Sequence, residues 1–153
     1  MSARALMNDR PIVLRRTDRL GEAARMILEH RFRNVPVVDE AGCYLGVVSA
    51  NRLLGAVLPR VATIEDGLER LPFVHDTVDV LRERWREVED LPVSDFIDTD
   101  LLTVDPEASV AETVLTLYKN RTSLPVVEKK TGRLVGIVSH WGVGSAIVGA
   151  GEP

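Results

Sequence analysis

The sequence predicts an α+β fold: two β-α-β-β-α units with a charged helical stretch between them. Three observations carry that expectation. Val35–Ser49 reads VPVVDEAGCYLGVVS and Leu124–Ser139 reads LPVVEKKTGRLVGIVS. Each is an apolar run opened by X-Pro, a polar turn with glycine, and a second apolar run through Gly-Val/Ile-Val-Ser, the pattern of two short buried strands joined tightly. The flanks repeat as well: Leu20 and Val110 lie 90 positions apart, Pro36 and Pro125 89 apart, and Gly46 and Gly136 again 90. One residue is lost before the proline and regained in the hairpin turn, and gaps confined to loops are what a structural duplication shows. Finally, the 153 residues are 45% hydrophobic but only 5% aromatic, so a soluble core must be built mainly of Val, Leu, Ile and Ala.

The first unit spans residues 1–59. Pro11–Leu14 is expected as a short strand, and Thr17 and Asp18 as start signals for a helix striped by Leu20, Ala23, Ala24, Ile27 and Leu28. Strands follow at Val35–Val38 and Tyr44–Val48, then a helix over Asn51–Leu58 that Pro59 ends. Residues 60–92 form the charged insert. Within it Asp76–Glu89 places Val78, Leu81, Trp85 and Val88 on one helical face and charges on the others, so this helix needs a surface to dock on. The second unit, 93–149, repeats the order. Leu102–Val104 is the short strand, and Ser109-Val110-Ala111-Glu112 a capping box before a stripe of Val110, Val114, Leu117 and Tyr118. Strands are expected at Leu124–Val127 and Leu134–Val138 and a closing helix at Trp141–Val148, leaving 150–153 as a frayed tail.

Composition excludes several functions. A net charge of −4 and a pI near 5.4 argue against nucleic acid as the main partner, because duplex binding rests on clustered Lys and Arg. The single cysteine, Cys43, precludes an internal disulfide and suits a reducing cytosol. The first residues carry Arg4, Asp9 and Arg10 and no apolar signal-like core, and no apolar run approaches the roughly 20 residues that span a bilayer. A cytoplasmic location without membrane contact is therefore expected. His30, His75 and His140 lack ligand-spaced companions, so no metal is expected. Cys43 has no evident general base, and no catalytic residue is assigned. Gly142-Val143-Gly144 follows a strand, yet Ile147 breaks the dinucleotide-binding glycine pattern.

The two units resemble a pair of cystathionine-β-synthase-type (CBS) domains. Leu20–Leu54 and Val110–Ala146 carry the likeness, through VPVVD…G…LGVVS and LPVVE…G…LVGIVS; Val93-Ser94-Asp95-Phe96-Ile97 resembles the lead-in of the second domain, with Met7 and Ile97 at matching positions. The resemblance implies two units related by a pseudo-twofold axis, two clefts between them, and a homodimer that regulates an enzyme or transporter. It implies adenosine-containing regulatory ligands such as AMP, ADP, ATP, S-adenosylmethionine or NAD rather than a fixed cofactor.

Carried onto this chain, the ligand positions are Ile12, Val13, Val35 and Pro36, with Ser49, Asn51 and Arg52, in the first unit. In the second they are Leu102, Leu124, Pro125, Ser139 and His140, with Arg33 and Arg121 as phosphate contacts. The family pattern Gly-h-h-Thr/Ser-x-x-Asp clamps ribose with a hydroxyl and a carboxylate, since a carboxylate accepts from two adjacent hydroxyls. This chain keeps the hydroxyls as Ser49 and Ser139, but Arg52 and Gly142 stand where the aspartates would be. Ser49 and Ser139 also sit where serine serves as a helix N-cap, and Trp85, Trp141, Arg31, Arg33 and Arg121 equally suit packing or solvated loops. Two functions therefore remain open: a nucleotide sensor, and a ligand-free scaffold for dimerisation or protein interaction.

Overall fold

The computed structural model describes residues 1–58 and 77–149. The first unit contains β1 (Leu14–Arg15), α1 (Leu20–His30), β2 (Asn34–Val38), β3 (Tyr44–Ser49) and α2 (Ala50–Val57). Helix α3 (Val78–Val88) follows, and then the second unit: α4 (Val110–Asn120), β4 (Leu124–Val127), β5 (Leu134–Val138) and α5 (His140–Val148). The α+β class and the duplicated order are as expected. The hairpins β2–β3 and β4–β5 are antiparallel, and each register shifts just past its glycine, so that Val38 pairs with Tyr44 and Val127 with Leu134. One bulge in each copy is a mark of duplication in the backbone itself.

The short lead-in strands differ from expectation. Only Leu14–Arg15 is a strand, parallel to β2, and Pro11–Val13 lies outside it because Pro11 has no amide to give a ladder. Leu102–Val104 shrinks to a single parallel bridge between Val104 and Val126. The α1 start differs too. Its N-cap is Arg19, which makes no side-chain cap, while the Asp18 carboxylate accepts from the Arg15 amide at 2.8 Å and closes the preceding turn. In the second copy Ser109 caps α4 as its sequence indicates, accepting from the Glu112 amide at 3.1 Å.

Each unit has an aliphatic core under its hairpin. The first holds Leu14, Leu20, Ala23, Ile27, Val35, Val37, Val48 and Val93; the second holds Ala3, Val104, Leu117, Leu124, Val126, Val138 and Val143. Two members come from across the pair: Val93, in the lead-in of the second unit, seals the first core, and Ala3, in the lead-in of the first, seals the second. The supporting bonds are paired in the same way. Val93 donates its amide to Asp18 O at 2.8 Å and Ala3 to Ala108 O at 2.9 Å. Asp98 exchanges both backbone bonds with Val47, and Asn8 does so with Ile137. The lead-ins are thus exchanged, and this strapping holds the halves together.

Two glycines permit it. A Cβ at Gly46 would fall 2.5 Å from Asp98 O and collide with Ile97, and its φ of 142° is one that L side chains rarely adopt. A Cβ at Gly136 would lie 2.9 Å from Asn8 O and 2.6 Å from Met7 Sδ.

The hairpin tips meet at the pseudo-twofold. Tyr44 donates to Gly132 O at 2.9 Å and Leu134 to Gly42 O at 3.1 Å, with Cys43 facing Arg133 between them. Beside this seam burial pushes the Tyr44 phenol up to about 12, and its hydroxyl is buried without a partner among the described residues. The insert helix docks on its own module: α3 lies against α2, Trp85 and Val88 pack on the first core, and Arg84 donates to Val57 O at 3.3 Å. Val78, expected on the docked face, is exposed at the helix start. The expectations for Pro59, most of the insert, His75 and the 150–153 tail fall outside the described residues.

Candidate functional site

Two clefts open between the halves, on either side of a hydrogen bond from Asn34 Nδ2 to Thr122 Oγ1 of 2.8 Å. Arg33, Asn34 and Thr122 line both. Cleft one, of about 540 Å³, is walled by the first lead-in and by the start of α5; cleft two, of about 760 Å³, by the second lead-in and the start of α2.

Cleft one gathers six of the expected ligand residues: Ile12, Arg33, Pro36, Arg121, Ser139 and His140. Ser139 caps α5, accepting from the Gly142 amide at 3.0 Å. That bond occupies one lone pair and leaves its O–H free to turn toward the cleft. Arg31 and Arg121 end α1 and α4 with φ of 55° and 60°, a left-handed conformation usually given to glycine. The strained caps set both arginines at the rim of this cleft, where Arg33 joins them. Among the described residues none of the three forms an ion pair, and no carboxylate lines the cleft. Its aromatic edge is made by Trp141, 82% exposed, and by Phe32 stacked on His30 at 5.0 Å.

Cleft two gathers Arg33, Ser49, Asn51 and Leu102. Ser49 serves both readings at once. Its hydroxyl caps α2 by accepting from the Arg52 amide at 3.0 Å and donates to Asp98 Oδ2 at 3.1 Å. Arg52 does not line the cleft; its Nη1 sits 3.8 Å from Asp98 Oδ1, with the side chains 47% and 35% exposed, so the pair adds little stability. A serine–carboxylate pair therefore does exist here, with the carboxylate supplied by the opposite lead-in instead of the first turn of α2. Asp100 adds a second acid and Lys119 a cation.

Five expected residues line neither cleft: Arg52, already placed beside Asp98, and four others. Val35 and Leu124 are fully buried in the two cores, Pro125 is buried in β4, and Val13 is half-buried. Val35 and Leu124 are inward-facing strand positions, and their neighbours Pro36 and Ser123 meet cleft one. Sequence reasoning missed Asn8, Phe32, Asn34, Asp98, Asp100 and Thr122. A signal existed for two of them, since Asn8 and Asp98 immediately follow the matched Met7 and Ile97. Among the described residues no group of side chains could hold a metal ion, and no helix is long and apolar enough to cross a membrane.

Comparison with known proteins agrees with this architecture. The CBS domain model matches residues 3–59 and 93–149. A chloroplastic CBS domain-containing protein of Arabidopsis thaliana, CBSX2, is 40% identical over 53 residues, which cover 35% of this chain and 22% of that protein. The chain spans at most 22% of the length of the curated relatives it matches. Among solved structures, a Vibrio cholerae protein described as an acetoin utilization protein superposes with a TM-score of 0.71 at 25% identity, over 97% of this chain and 91% of that one. CBSX2 in complex with AMP superposes with a TM-score of 0.69 at 20% identity, over 97% and 96%. CbpB in complex with cyclic di-AMP gives 0.70 at 13% identity, over 98% and 86%.

Proposed function

Because the chain belongs to the CBS domain family, with two copies of that domain, we propose that it is a regulatory module whose interdomain cleft takes an adenosine-containing nucleotide or a related anionic ligand. The carrying observation is cleft one. Arg31 and Arg33 reach it from the first unit and Arg121 from the second, all without ion-pair partners among the described residues. An anion held by both units favours one placement of the halves over others, and a partner protein reads that placement. The shift can be no larger than the ligand's differential affinity for the two placements. AMP and cyclic di-AMP complexes of proteins with this fold support the ligand class. The module regulates without catalysis of its own: the Cys43 thiol donates to Thr131 O at 3.4 Å in the hairpin seam, and no basic side chain among the described residues bonds to it to make it a nucleophile.

The module works in the cytoplasm as a homodimer. Leu28 and Tyr118 occupy equivalent positions on α1 and α4 and are 76% and 77% exposed, an apolar pair that a second copy would cover. Light scattering should give twice the chain mass for the parent protein and a lower mass for Leu28→Glu; a monomeric parent at high concentration refutes the dimer.

Thermal shift with AMP, ADP, ATP, NAD and S-adenosylmethionine tests the ligand reading. A ligand of 100 μM affinity at 1 mM stabilises by about 1.4 kcal/mol, which raises Tm by roughly 3–6 °C for a chain of this size. No shift with any of them at millimolar concentration overturns the reading and leaves the ligand-free scaffold, a role that the Asp98–Arg52 contact in cleft two would suit.

A further inference from the structure

The duplicated backbone places Asn8 and Asp98 at one and the same position, 90 residues apart. Each exchanges two backbone bonds with the middle of the opposite hairpin's second strand: Asn8 with Ile137 at 2.8 and 3.0 Å, Asp98 with Val47 at 2.8 and 3.0 Å. Each residue lines the cleft on its own side. The backbone treats the two alike, so the difference between them is charge.

The rest of each lining differs in the same direction. Among the described residues the charged groups in the wall on the Asn8 side are the arginines 31, 33 and 121, in a chain whose net charge is −4. Asn8 itself is neutral, and its Oδ1 is occupied by the Arg10 amide at 3.0 Å. On the Asp98 side two carboxylates, Asp98 and Asp100, offset the two cations Arg33 and Lys119 among the described residues. Asp98 also draws in the Ser49 hydroxyl and the Arg52 guanidinium, the groups that would otherwise face an incoming anion.

We infer that the residue at this duplicated position selects the cleft: Asn8 leaves cleft one open to the phosphates of a nucleotide, and Asp98 turns them away from cleft two, so that each chain binds one such ligand, in cleft one. This rests on the nucleotide-binding reading above. A phosphate within several ångströms of a fixed carboxylate meets a repulsion of about tenfold in affinity at a half-exposed site. The arginines of cleft one add attraction that grows with phosphate number.

Exchanging the two residues tests the inference, because Asn and Asp are nearly isosteric and the backbone bonds stay intact. Isothermal titration calorimetry with ADP is run on the parent, Asn8→Asp, Asp98→Asn and the double exchange, with adenosine as the phosphate-free probe. Melting curves without ligand report folding. The parent should bind about one ADP per chain, more tightly than adenosine. Asn8→Asp should weaken ADP about tenfold and leave adenosine nearly unchanged. Asp98→Asn should add a second, weaker ADP equivalent, and Arg121→Gln should weaken only the first. Two like ADP equivalents in the parent overturn the selector, as does ADP binding indifferent to both exchanges in proteins that melt like the parent. Failure of the parent to bind either probe overturns the nucleotide reading itself, an outcome distinct from ligand binding that ignores residues 8 and 98.

Discussion

Replacing Gly46 by alanine should cost far more than any other glycine-to-alanine change in the hairpins, and the structure sets the size of the loss. The new Cβ would lie 2.5 Å from Asp98 O, a backbone atom, and would overlap Ile97, at a φ of 142°. Neither neighbour can swing away as a flexible side chain would. The lead-in must lift off β3, giving up the two backbone bonds between Val47 and Asp98, each worth about 1 kcal/mol net. Backbone strain at a non-glycine residue adds about 1–2 kcal/mol, and partial loss of Ile97 from the first core about 1 kcal/mol more. The total is about 4 kcal/mol, a fall in Tm of roughly 8–16 °C. Gly136→Ala meets Asn8 O at 2.9 Å and the movable Met7 Sδ at 2.6 Å without positive φ, so about 2 kcal/mol is expected. Gly55→Ala, in α2 with nothing within 4 Å of its Cβ, should stabilise by about 0.5–1 kcal/mol. Urea unfolding of the three variants measures the series. A Gly46→Ala loss below about 1 kcal/mol, or one equal to that of Gly136→Ala, refutes the argument that the exchanged lead-in requires this glycine.

Three further outcomes are expected. Arg121→Gly should raise stability by about 1 kcal/mol, since glycine relaxes the left-handed cap at φ 60°, while weakening ADP; urea melts and calorimetry on the same sample read both effects. Tyr44→Phe removes a buried hydroxyl without a partner among the described residues and should stabilise by about 1 kcal/mol at neutral pH. The native phenol's raised pKa of about 12, against about 10 unfolded, means its contribution is complete below pH 10 and is lost between pH 10 and 12. The parent should therefore lose stability over that alkaline window more steeply than Tyr44→Phe, as denaturant midpoints at several pH values will show. Trp85→Ala should cost about 2 kcal/mol, because Trp85 packs half-buried on the first core, and should leave the light-scattering mass unchanged; a change of mass without loss of stability contradicts the docking of α3 on its own module.

The agreement between sequence and structure is strongest where several local signals favour the same geometry. The hairpins were legible because an X-Pro opening, a glycine turn and β-branched runs all favour the same local geometry, and duplication supplied every signal twice. Ser109 as a cap was legible for the same reason. The lead-in strands were overestimated at Pro11–Val13 and Leu102–Val104 because apolar content alone does not provide a ladder partner.

The site was legible only in part. Ser49, Ser139, Ile12, Pro36, Asn51, Leu102, Arg33, Arg121 and His140 do come to the two clefts. Val35 and Leu124 turn into the cores, since strand alternation assigns one face inward and the register decides which residues take it.

By itself, then, the sequence determined the repeat, its element order and the hydroxyls at the strand-to-helix junctions, all properties of residues close together in the chain. It also fixed the loss of a carboxylate at Arg52 and Gly142. Only the tertiary structure decided that each lead-in straps the other unit and that Asp98 returns a carboxylate to Ser49 from 49 residues away. It also decided that one cleft is lined by three arginines, while in the other two acids offset an arginine and a lysine. The physical reason is that those outcomes are set by long-range pairing across the pseudo-twofold. A one-position difference such as Asn8 against Asp98 acquires meaning there only once the backbone has brought the two positions into equivalent places.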